Sequence, residues 1–273
     1  MADEAAVESV HGRIIKQVYA SPGYNLDISL ESDELDTVRD RIYDQWLYRL
    51  QIKSSQIANE ITSVPIGMEK YHLLSDQIQH DKIWKKITRV LPPGFYKWFK
   101  DSRINQNLTD VFGDYQVSDE ENLGWPNFYW RLTRPKASSD VGPIHRDSWF
   151  WQLNPNFPKP SHSFHRVKVW IPIYVEVGKN GLLVEDDSHL REDIDWNGEE
   201  RDGILKPVLM TSSKNINLRL LKANCGNLVI FNDDLLHGGA KNMGNLSRVS
   251  LEFTMLVKGE PKITSKDLAL DRK

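Results

Sequence analysis

The sequence predicts a mainly β domain with α-helices, its strands forming a two-sheet barrel and its helices gathered in the N-terminal half. Two observations carry that expectation. Apolar residues recur at three-to-four spacing before residue 124, the period of a helix face, and alternate strictly after it, the period of a strand. In addition, one strand-like segment has Val167, Val169, Ile171, Ile173 and Val175 on one face and Lys168, Trp170, Pro172 and Tyr174 on the other. A second pairs Val249, Leu251 and Phe253 with Arg248, Ser250 and Glu252. Polar residues facing water would suit a single half-exposed sheet. In a barrel of two sheets that second face is a cavity, which accommodates Trp170 and Arg248 on one side.

Taken in order, residues 1–31 read as a loosely held arm with one short strand near Tyr24 to Ile28 and a turn at Ser21-Pro22-Gly23. Residues 32–124 read as a helical layer. Ser32-Asp33-Glu34-Leu35 supplies a cap and first-turn acids, and Leu35, Val38, Ile42, Trp46 and Leu50 make a core-facing stripe. A second helical group runs from Met68 to Phe99, broken at Leu91-Pro92-Pro93, and a third covers Arg103 to Val111. Residues 125–258 form the β core and 259–273 a tail, all within one integrated domain. Phe128, Trp130 and Leu132 give the first core strand its apolar face and Tyr129, Arg131 and Thr133 its polar one. Ser148-Trp149-Phe150-Trp151 and the Pro-rich run from Asn154 to Ser163 read as a long loop whose aromatics either stack on a substrate ring or close the barrel mouth. Glu192 to Gly203 is a polar excursion or lid, Pro207 to Met210 and Leu218 to Leu221 are further strands, and Asn224-Cys225-Gly226-Asn227 is the turn before the strand to His237.

The chemistry concentrates in Gly142-Pro143-Ile144-His145-Arg146-Asp147, Leu235-Leu236-His237-Gly238-Gly239 and Ser247-Arg248-Val249-Ser250. With eight His and thirty-eight acidic residues, chance alone supplies roughly one His-x-acid triplet, so His145 and Asp147 alone are weak evidence. The ordered set His-x-Asp, His, Arg-x-Ser is stronger. Two imidazoles and one carboxylate form the facial triad of non-haem Fe(II) oxygenases, which leaves other metal positions open. Arg248 is a planar, permanently charged fork suited to a carboxylate, with Ser250 two residues on along the same face of a strand, so the implied guest is a dicarboxylate. Lys168, if it points inward, requires an anionic partner. Gly238-Gly239 lacks the pattern of a phosphate loop and reads as close backbone approach beside a ligand, and His189 reads as structural.

From about Tyr129 to Leu256 the chain resembles the Fe(II)/2-oxoglutarate dioxygenases, specifically the phytanoyl-CoA dioxygenase-like branch. The resemblance rests on the triad and on Lys168-Val169-Trp170-Ile171-Pro172-Ile173, Asn180-Gly181-Leu182-Leu183-Val184 with Asp187-Ser188-His189, and Gly226-Asn227-Leu228-Val229-Ile230-Phe231 leading to His237, Asn242 and Arg248. One departure is Asp186-Asp187, where the family usually has Pro-Gly. The resemblance implies a double-stranded β-helix, a cupin-like jelly roll of eight core strands. It also implies iron on His145, Asp147 and His237, dioxygen as oxidant, and ascorbate as a supportive reductant. For 2-oxoglutarate it implies a site at Arg248 and Ser250, with Trp170, Tyr129, Arg131 and Lys168 as further contacts. The expected reaction is hydroxylation of an unactivated C–H, because halogenating relatives carry a small residue where this chain has Asp147. Arg146, Trp149 and Trp151 are the candidate substrate contacts. Basic and aromatic residues near the site favour an acidic, lipopolysaccharide-type octulosonate sugar. An acyl-CoA, amino-acid or natural-product substrate is the alternative, and a non-oxygenase cupin-like barrel or an inactive binding protein is the rival from another class.

Composition narrows the context. A net charge of −3 gives no electrostatic case for nucleic acid. Cys225 is the only cysteine, which excludes an intrachain disulfide and Cys-based zinc sites and fits a reducing, cytoplasmic setting. The N-terminus lacks a signal-peptide pattern and no stretch is long and apolar enough for a membrane span, although a lipid-linked glycan or a homo-oligomer would be compatible with the sequence.

Overall fold

The structure, a computed structural model, describes residues 9–63, 66–78, 80–154, 164–201 and 204–259. In chain order these form α1 (Val10–Tyr19), β1 (Tyr24–Asn25), α2 (Ser32–Lys53), α3 (Ser55–Ser63), α4 (His80–Ile83), α5 (Pro93–Lys100), α6 (Arg103–Phe112), β2 (Tyr115–Val117) and β3 (Tyr129–Thr133). They continue through α7 (Asp147–Leu153), β4 (Phe164–Tyr174), β5 (Leu182–Val184), β6 (Trp196–Arg201), β7 (Ile204–Leu209), β8 (Arg219–Leu220), β9 (Val229–Asn232), β10 (His237–Gly239) and β11 (Arg248–Lys258).

All strand pairs are antiparallel. The major sheet runs β1-β9-β4-β11-β2, with β3 also paired to β11; the minor sheet runs β10-β5-β8, and β6 and β7 form a separate hairpin. The two sheets form an open jelly-roll sandwich with helices on one side, as expected, rather than a sealed barrel. The alternation on β4 and β11 explains why. Val167, Val169, Ile171, Ile173, Val249, Leu251 and Phe253 join Ile42, Trp46 and Leu50 of α2 in one buried cluster, so helices cover that face of the sheet. Each such side chain contributes roughly 1.5–3 kcal/mol on burial. The opposite face of the same strands turns Lys168, Trp170, Arg248 and Glu252 toward a cavity.

Pro172 sits near the C-terminal end of β4, where it cannot donate to the ladder. The register against β11 shifts there, between Val249 and Ser250, and the guanidinium of Arg39 on α2 donates to the carbonyl of the neighbouring Ile173 at 3.3 Å.

Several expectations are corrected. Residues 9–31 of the arm are not loosely held: α1 buries Ile14 and Val18 in the main cluster, and Tyr24 of β1 pairs with Phe231, while residues 1–8 lie outside the described residues. The cap of α2 is Glu31, in a reciprocal capping box with Glu34, rather than Ser32. Between residues 68 and 89 short 3-10 turns surround α4, and among the described residues of that layer only α2 is longer than ten residues. Residues 147–153 are a helix and not a loop, while residues 155–163 of the Pro-rich run, His162 among them, lie outside the described residues. Within the excursion at 192–203, Trp196–Arg201 form β6, one arm of the hairpin, and residues 202–203 lie outside the described residues. Of the tail, only Gly259 is described.

Candidate metal centre and cosubstrate pocket

His145 and His237 exchange both backbone hydrogen bonds, each 2.9 Å, as an isolated antiparallel bridge. That pairing sets the two imidazoles side by side, with ring centroids 4.5 Å apart. Gly238 makes the approach possible, since a Cβ there would lie 2.7 Å from Ile144. Asp147 completes the set from the first turn of α7, so the His-x-Asp pair spans a bridge-to-helix junction instead of lying along one strand. The Nε2 atoms of His145 and His237 lie 3.5 and 3.8 Å from the Asp147 carboxylate oxygens.

Each histidine has its other nitrogen fixed. Nδ1 of His145 faces the Pro143 carbonyl at 2.8 Å and Nδ1 of His237 the Leu235 carbonyl at 2.9 Å, so each Nδ1–H donates and Nε2 keeps a free lone pair. Burial, reinforced by the neighbouring His145, lowers His237 to about 4 even though Asp147 opposes the shift, which leaves a neutral imidazole at physiological pH. Burial alone would raise the Asp147 carboxyl. Lys168 leads the interactions that outweigh it and hold the group ionised, well below the usual carboxylate range. One ligand atom from each of His145, Asp147 and His237 lies within 4.8 Å of the others, a group able to hold a metal ion, and Asp147 Oδ2 is buried without a hydrogen bond.

Arg248 enters beside this group from the start of β11. It donates to the Gly181 carbonyl at 2.7 Å and to Thr133 Oγ1 at 2.9 Å, with Trp170 against its guanidinium at 5.8 Å. Its Nε and the Oγ of Ser250 are buried with no partner. Buried polar atoms left unpaired cost on the order of 1–3 kcal/mol each, so a guanidinium held this way is built to receive an acceptor. Arg248 lines the cavity that holds the metal group, whereas Ser250 lies behind it on β11 and is not part of the lining; the chemistry of a guanidinium beside a metal group matches a carboxylate-bearing cosubstrate.

Lys168 does point inward, as expected of an inward-facing base: Nζ donates to Thr254 Oγ1 at 3.3 Å and lies 3.9 Å from Asp147, and Asp147 and Glu120 keep its charge in place against the cost of burial. Arg131 also lines the cavity, donating twice to Glu252 at 2.8 and 2.6 Å. Burial would raise Glu252, but Arg131 and Lys168 hold it down to about 2.

Three other candidates, Tyr129, Arg146 and Trp149, fall outside the cavity. Tyr129 bonds through its hydroxyl to Glu121 and Asn127 at the far end of β3 and does not line the pocket. Arg146 donates to the Ser188 and Arg191 carbonyls, and Trp149 stacks on Trp196 at 5.1 Å, clamping α7 to the hairpin. Trp151 does line the outer cavity, donating to Asp233 at 3.1 Å, and Phe150 meets His145 edge-on at 5.1 Å. Helical phase separates these three aromatics, and a loop reading gives no such phase. Arg89, Glu120 and Lys206 also line the cavity, and nothing in their sequence neighbourhoods marks them.

Residues 29–250 match the family profile of phytanoyl-CoA dioxygenase. The chain belongs to this family. The phytanoyl-CoA dioxygenases are non-haem iron, 2-oxoglutarate-dependent oxygenases, and the His145–Asp147–His237 group agrees with that membership. Among solved structures, the fold is similar to EctD from S. alaskensis with 2-oxoglutarate and 5-hydroxyectoine, at 13% identity and a TM-score of 0.52, covering 99% of this chain and 86% of that one. It is also similar to apo ThoJ, a non-heme monooxygenase, at 12% identity and a TM-score of 0.50, covering 89% and 77%. No curated protein sequence matches this family member. No described helix is long and apolar enough to cross a membrane.

Proposed function

We propose that this phytanoyl-CoA dioxygenase family member hydroxylates a small polar substrate, with iron held by His145, Asp147 and His237 and 2-oxoglutarate by Arg248. The observation that carries the reading is the buried, unbonded Arg248 Nε in the cavity that also holds the three-residue metal group. Iron with 2-oxoglutarate supplies the oxidation: dioxygen gives one atom to the substrate C–H and one to succinate, with release of carbon dioxide. The protein's share is placement. Nδ1–H donation fixes both imidazoles, Lys168 keeps Asp147 ionised, Trp170 walls the cosubstrate pocket, and the Arg131–Glu252 pair borders the space left for substrate.

That space is an outer cavity of about 290 Å³, at the lower end of the roughly 300–1,000 Å³ usual for small-molecule sites. Size and polar lining favour a compact substrate over a long acyl chain. An acidic sugar is the first class to try. Its support is now the Trp151 and Phe150 faces and the basic lining rather than Arg146 and Trp149.

Anaerobic titration tests the reading. The chain with Fe(II) and 2-oxoglutarate should develop a weak visible charge-transfer band and, with oxygen and substrate, release succinate as the substrate gains one oxygen. Arg248→Ala should weaken 2-oxoglutarate binding about 10–100-fold. Unchanged affinity in that variant would remove Arg248 from its assigned role.

A further inference from the structure

The cavity over the metal group has two chambers. Arg248, Trp170, Leu182 and Phe231 bound the inner one, and Lys86, Arg89, Glu120, Phe150, Trp151 and Lys206 the outer; His145, Asp147, Arg131, Lys168 and Glu252 belong to both. The cosubstrate reading places one anion in the inner chamber, on Arg248. The outer chamber has a charge of its own to satisfy.

Its bases are mostly neutralised from within. Arg131 is bonded to Glu252, Lys168 lies against Asp147, and Lys86 pairs with Glu121. Arg89 differs. No hydrogen bond or ion pair reaches its side chain among the described residues, and its Nε is buried and unbonded. The two carboxylates that feel its charge, Glu252 and Asp140, are already held by Arg131 and Arg134. Burial and the nearby Arg131 lower Arg89 to about 10, so it remains a cation that is poorly solvated and poorly matched. Its backbone is not free to swing away. Arg89 ends the 3-10 turn Lys86–Arg89, and the next residue, Val90, bridges Tyr129 of β3.

A desolvated guanidinium with no counter-ion, aimed into the chamber beside the metal group, is a receptor for an oxyanion. We infer that Arg89 binds an anionic group of the substrate, a carboxylate or a phosphate or sulfate ester, and so orients the rest of the molecule toward His145 and Asp147. This rests on the oxygenase reading of the cavity, and it assigns Arg89 a specificity role that none of the strand residues fills. Neutral analogues of the same size would leave the guanidinium unpaired, which is the costliest kind of mismatch in a polar site.

Calorimetric titration of the full chain loaded with Mn(II) and 2-oxoglutarate tests the assignment. The probes are inorganic sulfate, inorganic phosphate, glucuronate and its neutral counterpart glucose. The wild type should bind the anions and prefer glucuronate to glucose; Arg89→Gln should lose anion affinity by about tenfold or more, Arg89→Lys should keep most of it, and 2-oxoglutarate affinity should stay within about twofold in both. The stronger of the phosphate and carboxylate arms names the substrate's anion. Equal anion affinity in Arg89→Gln, or no preference for glucuronate over glucose, overturns the proposal. Parallel loss of 2-oxoglutarate binding in Arg89→Gln also overturns it, because Arg89 would then serve the cosubstrate. Failure of the wild type to bind 2-oxoglutarate would instead strike the oxygenase reading, while the sulfate comparison would still decide Arg89.

Discussion

Asp147 and Asp233 are carboxylates in one buried neighbourhood with opposite fates. The Lys168 ammonium holds Asp147 ionised, whereas burial and the charge of Asp147 raise Asp233 to about 7, with the Trp151 indole N–H only partly offsetting them. The raised value sets a sign. Between the ordinary value of 3.8 and about 7 the folded chain binds a proton that the unfolded chain has released, so this group's contribution to stability is lost as pH rises through that window. Asp233→Asn keeps an acceptor for Trp151 and removes the charge. At pH 8 the metal-free variant should melt about 2–4 °C above the wild type, for a gain on the order of 1 kcal/mol, and near pH 4 the two should converge. A constant offset across the range would show that ionisation of Asp233 is not the cause. Most of the candidate centre could be read from residue types: His145, Asp147, His237 and Arg248 come together as their order and chemistry implied. Asp233 could not, because its perturbation arises from burial and from a neighbour distant in sequence.

At the scale of elements, β4 and β11 were legible because alternation over eleven residues leaves only one way to bury Val169, Ile171, Leu251 and Phe253. Short elements carry no such redundancy. The seven residues of α7 are too few to establish a helical period, so Trp149 read as a substrate contact until the helix turned it onto Trp196. Only Ile14, Val18 and Tyr19 anchor α1, too sparse a pattern against its polar surroundings. The departure at Asp186-Asp187 has a structural meaning. Asp187 adopts a left-handed φ of 60° where the family usually carries glycine, and its charge helps raise its neighbour Asp186. A left-handed non-glycine residue costs about 1–2 kcal/mol, part of which glycine's greater freedom in the unfolded chain returns. Asp187→Gly should therefore stabilise the protein by roughly 0.5–1 kcal/mol, read as a higher urea midpoint at unchanged slope. A lower midpoint would mean that the Asp187 side chain itself supports the turn.

For the whole molecule, the helices and the strands that carry the candidate centre share one interior. Ile14 of α1, Trp46 of α2, Phe95 of α5 and Leu108 of α6 lie in the same buried cluster as Val169 and Leu251, and the Arg39 bond to Ile173 ties α2 to the strand that carries Lys168 and Trp170. The helical layer is thus the far wall of the sheet whose near face builds the centre. Removing it would expose the full apolar row of β4 and β11. Residues 125–258 expressed alone should accordingly fail to fold, and the intact chain should unfold in a single transition seen identically by far-UV circular dichroism and by tryptophan fluorescence. Because Arg248 sits on a strand that shares this interior, ligands of the centre should move the whole transition. Mn(II) with 2-oxoglutarate at about a hundredfold excess over its dissociation constant adds roughly 2.7 kcal/mol, a rise of about 5–10 °C for a chain of this size. Asp147→Ala should lose that rise while keeping the single transition. Two separate transitions, with only the later one shifted by ligand, would mean that the helical layer and the β core fold independently and that the centre owes nothing to the helices behind it.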